Sequence, residues 1–115
     1  MKTKLLAGMA TIFAMVVFAN NALAKEEHTS AALEHATAAA NATDSAGVTT
    51  HATEALKHID AAKTAHKPHP AMVEHISQGE IHLKASLDSA GKGDAAAATH
   101  HAAEAKKHLE AADKE

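Results

Sequence analysis

Apolar and small residues recur at alternating four- and three-residue intervals in four separate stretches of the chain, with polar residues between them. In the second stretch these positions are Val48, Ala52, Ala55, Ile59 and Ala62. This spacing returns to one face of an α-helix and is typical of a seam along which helices pack. The other seams are Ala32, Ala36 and Ala39, then Met72, Ile76, Gly79 and Leu83, and finally Ala98, Ala102, Ala105, Leu109 and Ala112. The pattern therefore predicts four amphipathic helices.

Helix-breaking residues separate the four seams. The predicted connections lie near residues 44–47, 66–70 and 91–94. We expect Gly91 to cap the end of the third helix and Asp94 to cap the start of the fourth, with Pro70 in the first turn of the third helix. The expected helices span residues 29–43, 48–66, 70–90 and 94–113. Such short connections favour an all-α fold, an up-down-up-down antiparallel four-helix bundle.

The first 24 residues have the layout of a secretory signal peptide. A basic start, Met1–Lys4, is followed by an apolar run, Leu5–Ala19, and by a small-residue exit, Ala22–Ala24. The apolar run is short for a membrane-spanning helix. Cleavage would leave residues 25–115 as one small domain, periplasmic or secreted, with no membrane attachment. The alternative is an N-terminal anchor that is retained.

Composition narrows the function classes. Without Lys2 and Lys4, nine lysines face 14 acidic residues, a formal net charge of −5 with histidine neutral, and the chain has no arginine. This balance argues against nucleic-acid binding. The chain has no cysteine, which excludes thiolate sites, iron–sulfur clusters and covalent c-type haem attachment. Alanine at most seam positions buries little apolar area, so we expect a core of small stabilising free energy.

Histidine is the residue type that suggests chemistry. It recurs in four pairs with seven-residue spacing, and the pairs begin 23, 24 and 26 residues apart, so that each helix has one pair. The pairs are His28 and His35, His51 and His58, His75 and His82, and His101 and His108. Each histidine precedes a seam position by one residue and should lie at the border between core and water. Imidazole binds copper, nickel and zinc at neutral pH. The alternative is that these histidines are polar residues that merely cover the seam.

Helix geometry limits how a pair can act. Seven residues rise about 10.5 Å along a helix, whereas metal–nitrogen bonds are about 2 Å long, so the two histidines of one pair cannot bind one ion. Residues three and four apart are neighbours on a helix. Glu54 lies three residues after His51 and four before His58, and is therefore a candidate ligand with either.

The fourth helix repeats this arrangement. Glu104 has the same relation to its pair, and His100 adds a candidate ligand four residues before it. The first and third helices lack the carboxylate, so ions there would need ligands from other helices, from Glu34, Glu74 or from water. His66 and His69 flank the proline-containing connection and could form a further loop site, or could belong to an ordinary solvated loop.

Nitrogen and oxygen ligands without sulfur favour Cu(II), Ni(II) or Zn(II), with copper bound most tightly. Many similar half-sites predict several ions of moderate affinity, which suits storage, buffering or scavenging in an exported compartment. Two alternatives stay open: a structural or chaperone-like periplasmic bundle with incidental histidines, and, less favoured, a b-type haem bundle with histidine and Met72 as axial ligands. An enzyme is not expected, because no Glu-x-x-His motif of di-metal bundles occurs. A protein partner is not predicted.

The stretch from about Glu26 to Asp113 resembles the bacterial small metal-binding protein (SmbP) family. The matching features are the His-x6-His spacing, the phrases EALKHIDAA at Glu54–Ala62 and EAKKHLEAA at Glu104–Ala112, the absence of cysteine and the export signal. The resemblance implies a periplasmic four-helix bundle that binds several divalent metals, copper foremost. It extends the ligand role to the eight paired histidines and to Glu54 and Glu104. The first helix has less histidine and acid than the family pattern, which leaves its site open.

Overall fold

The computed structural model describes residues 21–65 and 69–115, and in this part of the chain all regular structure is helical. For residues 21–26 and 65 only the backbone is described. The four helices are α1 (Asn21–Ala40), α2 (Ser45–Ala65), α3 (Pro70–Gly91) and α4 (Ala95–Asp113). Residues 1–20, most of the predicted signal peptide, and His66 of the predicted loop site lie outside the described residues.

The helices form a ring in which each packs against the next. Contacts join α1 to α2, α2 to α3, α3 to α4 and α4 back to α1, and a smaller contact joins α2 to α4 across the middle. Consecutive helices run antiparallel, because His28 at the start of α1 meets His58 near the end of α2, and His75 meets His108 in the same way. This architecture confirms the predicted up-down-up-down four-helix bundle.

The predicted seams form the core. Every seam residue named from the sequence is buried, including Gly79 and the alanines of α1. The bulk of the core comes from a few large side chains among many alanines, namely Val48, Ile59, Ile76, Leu83 and Leu109. A Cβ atom on Gly79 would lie 3.1 Å from both Cγ and Cδ2 of Leu109. The glycine therefore makes room for the leucine of α4, and α3 and α4 approach closely.

The first connection lies three residues earlier than the sequence predicted, at residues 41–44 and not 44–47. The Asp44 side chain accepts a hydrogen bond of 2.7 Å from the backbone N–H of Gly47, which is the contact of a helix N-cap. Because of this cap, α2 begins at Ser45 and not at residue 48, and Gly47 lies inside its first turn. The end of α1 at Ala40, expected at residue 43, is likewise earlier.

The connection between α3 and α4 follows the prediction in one half and differs in the other. Asp94 caps α4, since its side chain accepts a 3.0 Å hydrogen bond from the backbone N–H of Ala97. The expected cap at Gly91 is wrong, because that residue is the last of α3. Gly93 instead has the left-handed conformation, with φ of 77°, and its N–H bonds to the carbonyl of Ala90 at 3.0 Å. A left-handed residue just past the end of a helix allows the backbone N–H groups that follow to bond to the last carbonyls of the helix.

Polar contacts add to the packing between helices. The buried hydroxyl of Ser86 donates a 2.7 Å hydrogen bond to the carbonyl of Ala98, which joins α3 to α4. Lys63 of α2 lies 2.6 Å from Glu80 of α3, and Glu80 is also 2.8 Å from Lys84. None of the helices, over the described residues, is both long enough and apolar enough to span a bilayer.

Candidate functional site

Histidines of α1 and α2 form one continuous row, the first ladder. From one end to the other its members are His28, His58, His35 and His51. Ring centroids of successive members are 5.6, 5.5 and 5.8 Å apart. The alternation follows from the antiparallel helices, because each seven-residue pair presents two rings along one helix and its neighbour fills the gap between them. The central rings, His58 and His35, stack with only 11° between their planes.

The ladder brings ring nitrogens together in two pairs. Nδ1 of His28 lies 3.4 Å from Nδ1 of His58, and Nδ1 of His51 lies 3.5 Å from Nδ1 of His35. Two nitrogens that bind one tetrahedral ion at about 2.0–2.1 Å are roughly 3.4 Å apart. Each nitrogen pair is therefore spaced for one tetrahedral ion to bind both nitrogens, one from α1 and one from α2, whereas adjacent nitrogens on square-planar Cu(II) are closer, at about 2.8 Å.

The second hairpin repeats the arrangement in a second ladder. Its order is His75, His108, His82 and His101, with centroid separations of 6.3, 5.4 and 6.2 Å. The central rings, His82 and His108, again stack with 11° between their planes. His100 extends the row, with its ring centroid 6.0 Å from that of His101. All eight paired histidines thus lie beside the core, and each predicted pair meets the pair of the adjacent helix.

Burial and mutual repulsion keep the central rings of the first ladder neutral. His58 is only 8% exposed. Its pKa is lowered by burial first and then by the charges of His35 and His28, while Glu54 and Glu34 act in the opposite direction. The pKa of His35 is also lowered, mainly by burial. Neutral imidazole has a lone pair available for a metal ion at neutral pH.

The second ladder has the same tendency at one of its central positions. The pKa of His82 is lowered by burial and then by His108, with Glu104 opposing the shift. In both ladders, therefore, a central ring loses its proton more readily than an exposed histidine does.

The two predicted carboxylates are bound to lysines one turn further along their helices. Glu54 lies 2.8 Å from Lys57, and Glu104 lies 2.9 Å from Lys107. These hydrogen bonds lower the pKa of each carboxyl group. Both carboxylates also act electrostatically on ladder histidines. Those histidines are His35 and His58 for Glu54, and His100 and His82 for Glu104.

The remaining candidate residues are divided between the ladders and the surface. Glu34 was named from the sequence only as an optional ligand. Its negative charge acts to raise the pKa of His35 and of His58, against the effect of burial. Sequence reasoning missed Glu115, whose carboxylate lies 4.0 Å from Nε2 of His75, because a separation of forty positions leaves no local signal. His69 is exposed just before α3, and its proposed loop partner is outside the described residues.

Within the described ranges, no three histidine or acidic side chains converge as a ready ion-binding set. The arrangement instead consists of nitrogen pairs in rows, so an ion bound at a pair would take its further ligands from water or from side chains that rotate. Such partial sites suit ions that bind with moderate affinity and exchange.

A cysteine-free helical bundle whose border is lined with paired imidazoles has the fold and the donor set of a helical metal-binding protein. The chain belongs to the small metal-binding protein family, whose family model matches residues 2–112. This assignment confirms the resemblance seen in the sequence, and with it metal binding in general. No match was found among the curated proteins or among the solved structures.

Proposed function

We propose that this protein binds several divalent metal ions at the paired histidines of its two ladders, with Cu(II) bound most tightly and Ni(II) and Zn(II) more weakly. The observation that supports this most directly is the spacing of 3.4 and 3.5 Å between Nδ1 atoms across α1 and α2. Imidazole nitrogen with carboxylate and water suits all three ions, and affinity among them should be highest for copper.

The proposed role is storage, buffering or scavenging of these ions in an exported compartment. The ladders lie at the border of the bundle, where an ion can enter and leave without unfolding of the core. Pairs of nitrogen ligands leave coordination positions to water, which favours exchange over permanent retention. The signal-like N-terminus supports the exported location, and the family supports binding without adding a catalytic activity.

Isothermal titration of the purified protein with Cu(II) at pH 7 tests this function. We expect more than one copper ion per chain. Replacement of all eight ladder histidines by alanine should abolish this binding, whereas His69→Ala, which changes an exposed histidine outside the ladders, should leave it intact. The absence of copper binding, or full binding by the variant without ladder histidines, would refute the proposal.

A further inference from the structure

The two ladders are alike in order but differ in the width of their outer pairs. In the first ladder the ring centroids of these pairs are 5.6 and 5.8 Å apart, for His28 with His58 and for His35 with His51. The corresponding separations in the second ladder are 6.3 and 6.2 Å, whereas the central pairs are nearly equal at 5.5 and 5.4 Å. The outer pairs of the first ladder also have Nδ1 atoms 3.4 and 3.5 Å apart, so their rings need to move less than those of the second ladder to bind one ion between them.

The ladders also differ in the charge beside them. Glu34 immediately precedes His35 in α1, and Ile81 occupies the equivalent position immediately before His82 in α3. Glu34 acts electrostatically on both central rings of the first ladder, whereas Ile81 is uncharged and 58% exposed. A divalent cation is attracted by a nearby carboxylate, so Glu34 favours the centre of the first ladder. In the second ladder the carboxylate of Glu115 lies 4.0 Å from Nε2 of His75, at one end of the row.

The third difference is an additional ring in the second ladder. His100 continues that row beside His101, and Thr50 stands at the equivalent place one residue before His51. His100 supplies a further nitrogen there, but it does not narrow the two outer pairs of the second ladder.

We propose that the α1–α2 hairpin has two ion sites, one at the His28–His58 pair and one at the His35–His51 pair, and that these fill with Cu(II) before the α3–α4 hairpin does. This inference rests on the proposed function and adds an order of binding to it. Preformed ligand spacing lowers the cost of arranging the site, and fixed ligand geometry therefore raises affinity. His58 belongs to one of these sites and His35 to the other, and their rings stack on each other.

Amide NMR spectra during addition of Cu(II) at pH 7 test the order. Paramagnetic copper broadens the signals of residues near it. With up to two equivalents of copper, we expect signals along α1 and α2 to be lost while those of α3 and α4 persist, and further copper should then broaden the second hairpin. Loss of signals first in α3 and α4, or equally in both hairpins, would overturn the inference while leaving the proposed function intact.

Matched double variants give a second measurement. His28→Ala with His51→Ala breaks both nitrogen pairs of the first ladder, and His75→Ala with His101→Ala breaks the corresponding pairs of the second. Alanine is a strong helix former at these border positions, and circular dichroism verifies folding. In the first variant the first copper should broaden α3 and α4, and in the second variant it should still broaden α1 and α2. Unchanged broadening of α1 and α2 in the first variant contradicts the assignment, and no broadening in the wild-type protein contradicts the proposed function as well.

Discussion

At the scale of single residues, the position of each ladder histidine follows from its place one residue before a seam position. The backbone there is held by the buried neighbour, while the ring lies at the border and contacts the next helix. His35 and His58 show the consequence, since they stack on each other and have lowered pKa values through burial. Packing thus fixes the position of these rings, and burial favours their neutral form.

The carboxylates beside the ladders should strengthen metal binding. We expect Glu54→Ala and Glu104→Ala each to weaken Cu(II) binding by roughly two- to fivefold, because each removes a negative charge that acts on two ladder histidines. Titration calorimetry at pH 7 measures the change. Asp88→Ala is a matched control, since Asp88 is also an exposed carboxylate paired with a lysine, at 2.9 Å from Lys92. If all three variants titrate alike, the two glutamates have no part in binding.

At the scale of helices, small residues determine how closely neighbours approach. Alanine seams on α1, α2 and α4, together with Gly79 on α3, let the backbones come near each other, and the border rings can then reach across. A bundle with bulkier seams would hold its helices further apart, because interaxial distance depends on the side chains at the contact. The small-residue core and the ring contacts of 5.4 to 6.3 Å are therefore connected properties.

Gly79→Val should destabilise the bundle by about 1–3 kcal/mol, because the added side chain overlaps buried Leu109, whose Cγ and Cδ2 lie 3.1 Å from the position of the new Cβ. Urea unfolding of the metal-free protein, followed by circular dichroism, measures the loss. Gly91→Ala is the control at a helical glycine that has no atom within 4 Å of an added Cβ, and it should stabilise by up to about 1 kcal/mol. Equal stability of the Gly79→Val variant and the wild-type protein would show that Leu109 can move aside freely.

At the scale of the whole molecule, the α1–α2 and α3–α4 hairpins have the same arrangement of histidines. Their ladders differ in the width of the outer pairs and in the charged residues beside them. Joined back to back through contacts of α1 with α4 and of α2 with α3, they share a core but keep separate ladders. We therefore expect protonation, and metal binding at the proposed sites, to act on each hairpin and to change the stability of the whole bundle.

The metal-free bundle should lose stability as the pH falls below about 6.5. His35, His58 and His82 have pKa values lowered from 6.5 in the folded protein. Below pH 6.5 the unfolded chain therefore binds more protons than the folded protein, and acid stabilises the unfolded state relative to the folded one. The contribution of these histidines to stability is fully present above their pKa in the unfolded chain. It is lost as the pH decreases through their lowered pKa values in the folded protein. The melting temperature measured in the presence of a chelator should be lower at pH 5.5 than at pH 7.5.

A matched variant separates these histidines from other acid effects. Replacement of His35, His58 and His82 by glutamine should flatten the dependence between pH 7.5 and 5.5, because glutamine does not titrate. The lowered pKa values of Glu54, Glu80 and Glu104 start from 4.5, so their stabilisation is lost only below that range. Identical pH dependence in the variant and the wild-type protein would contradict the assignment to these rings.

Copper should raise the melting temperature at pH 7 and have little effect at pH 5. An ion that binds only the folded state stabilises it by mass action, by about 2.7 kcal/mol at a free concentration one hundred times the Kd. At pH 5 protons compete for the same nitrogens and weaken binding. Differential scanning calorimetry with and without Cu(II) measures both. An unchanged melting temperature at pH 7, with binding demonstrated, would mean that the ions do not join the helices.

The helical class, the buried seams and the border position of the histidines can all be predicted from the sequence. Each of these features depends on the periodicity of a single helix. The seven-residue spacing of Val48, Ala55 and Ala62 shows this periodicity over only a few turns. The ends of the helices depend on local hydrogen bonds that periodicity does not show. The start of α2, for example, depends on the bond between the side chain of Asp44 and the backbone that follows it.

Which histidines contact each other cannot be predicted from one helix and depends on how the helices pack. The pairing of His28 with His58 and of His35 with His51 depends on the register of two antiparallel helices, and that register is set by the connection between them and by the packing of their seams. The same holds for the contact of Glu115 with His75 and for the difference in ladder width. A seven-residue spacing fixes the distance along one helix, while the distance that matters to an ion lies between helices.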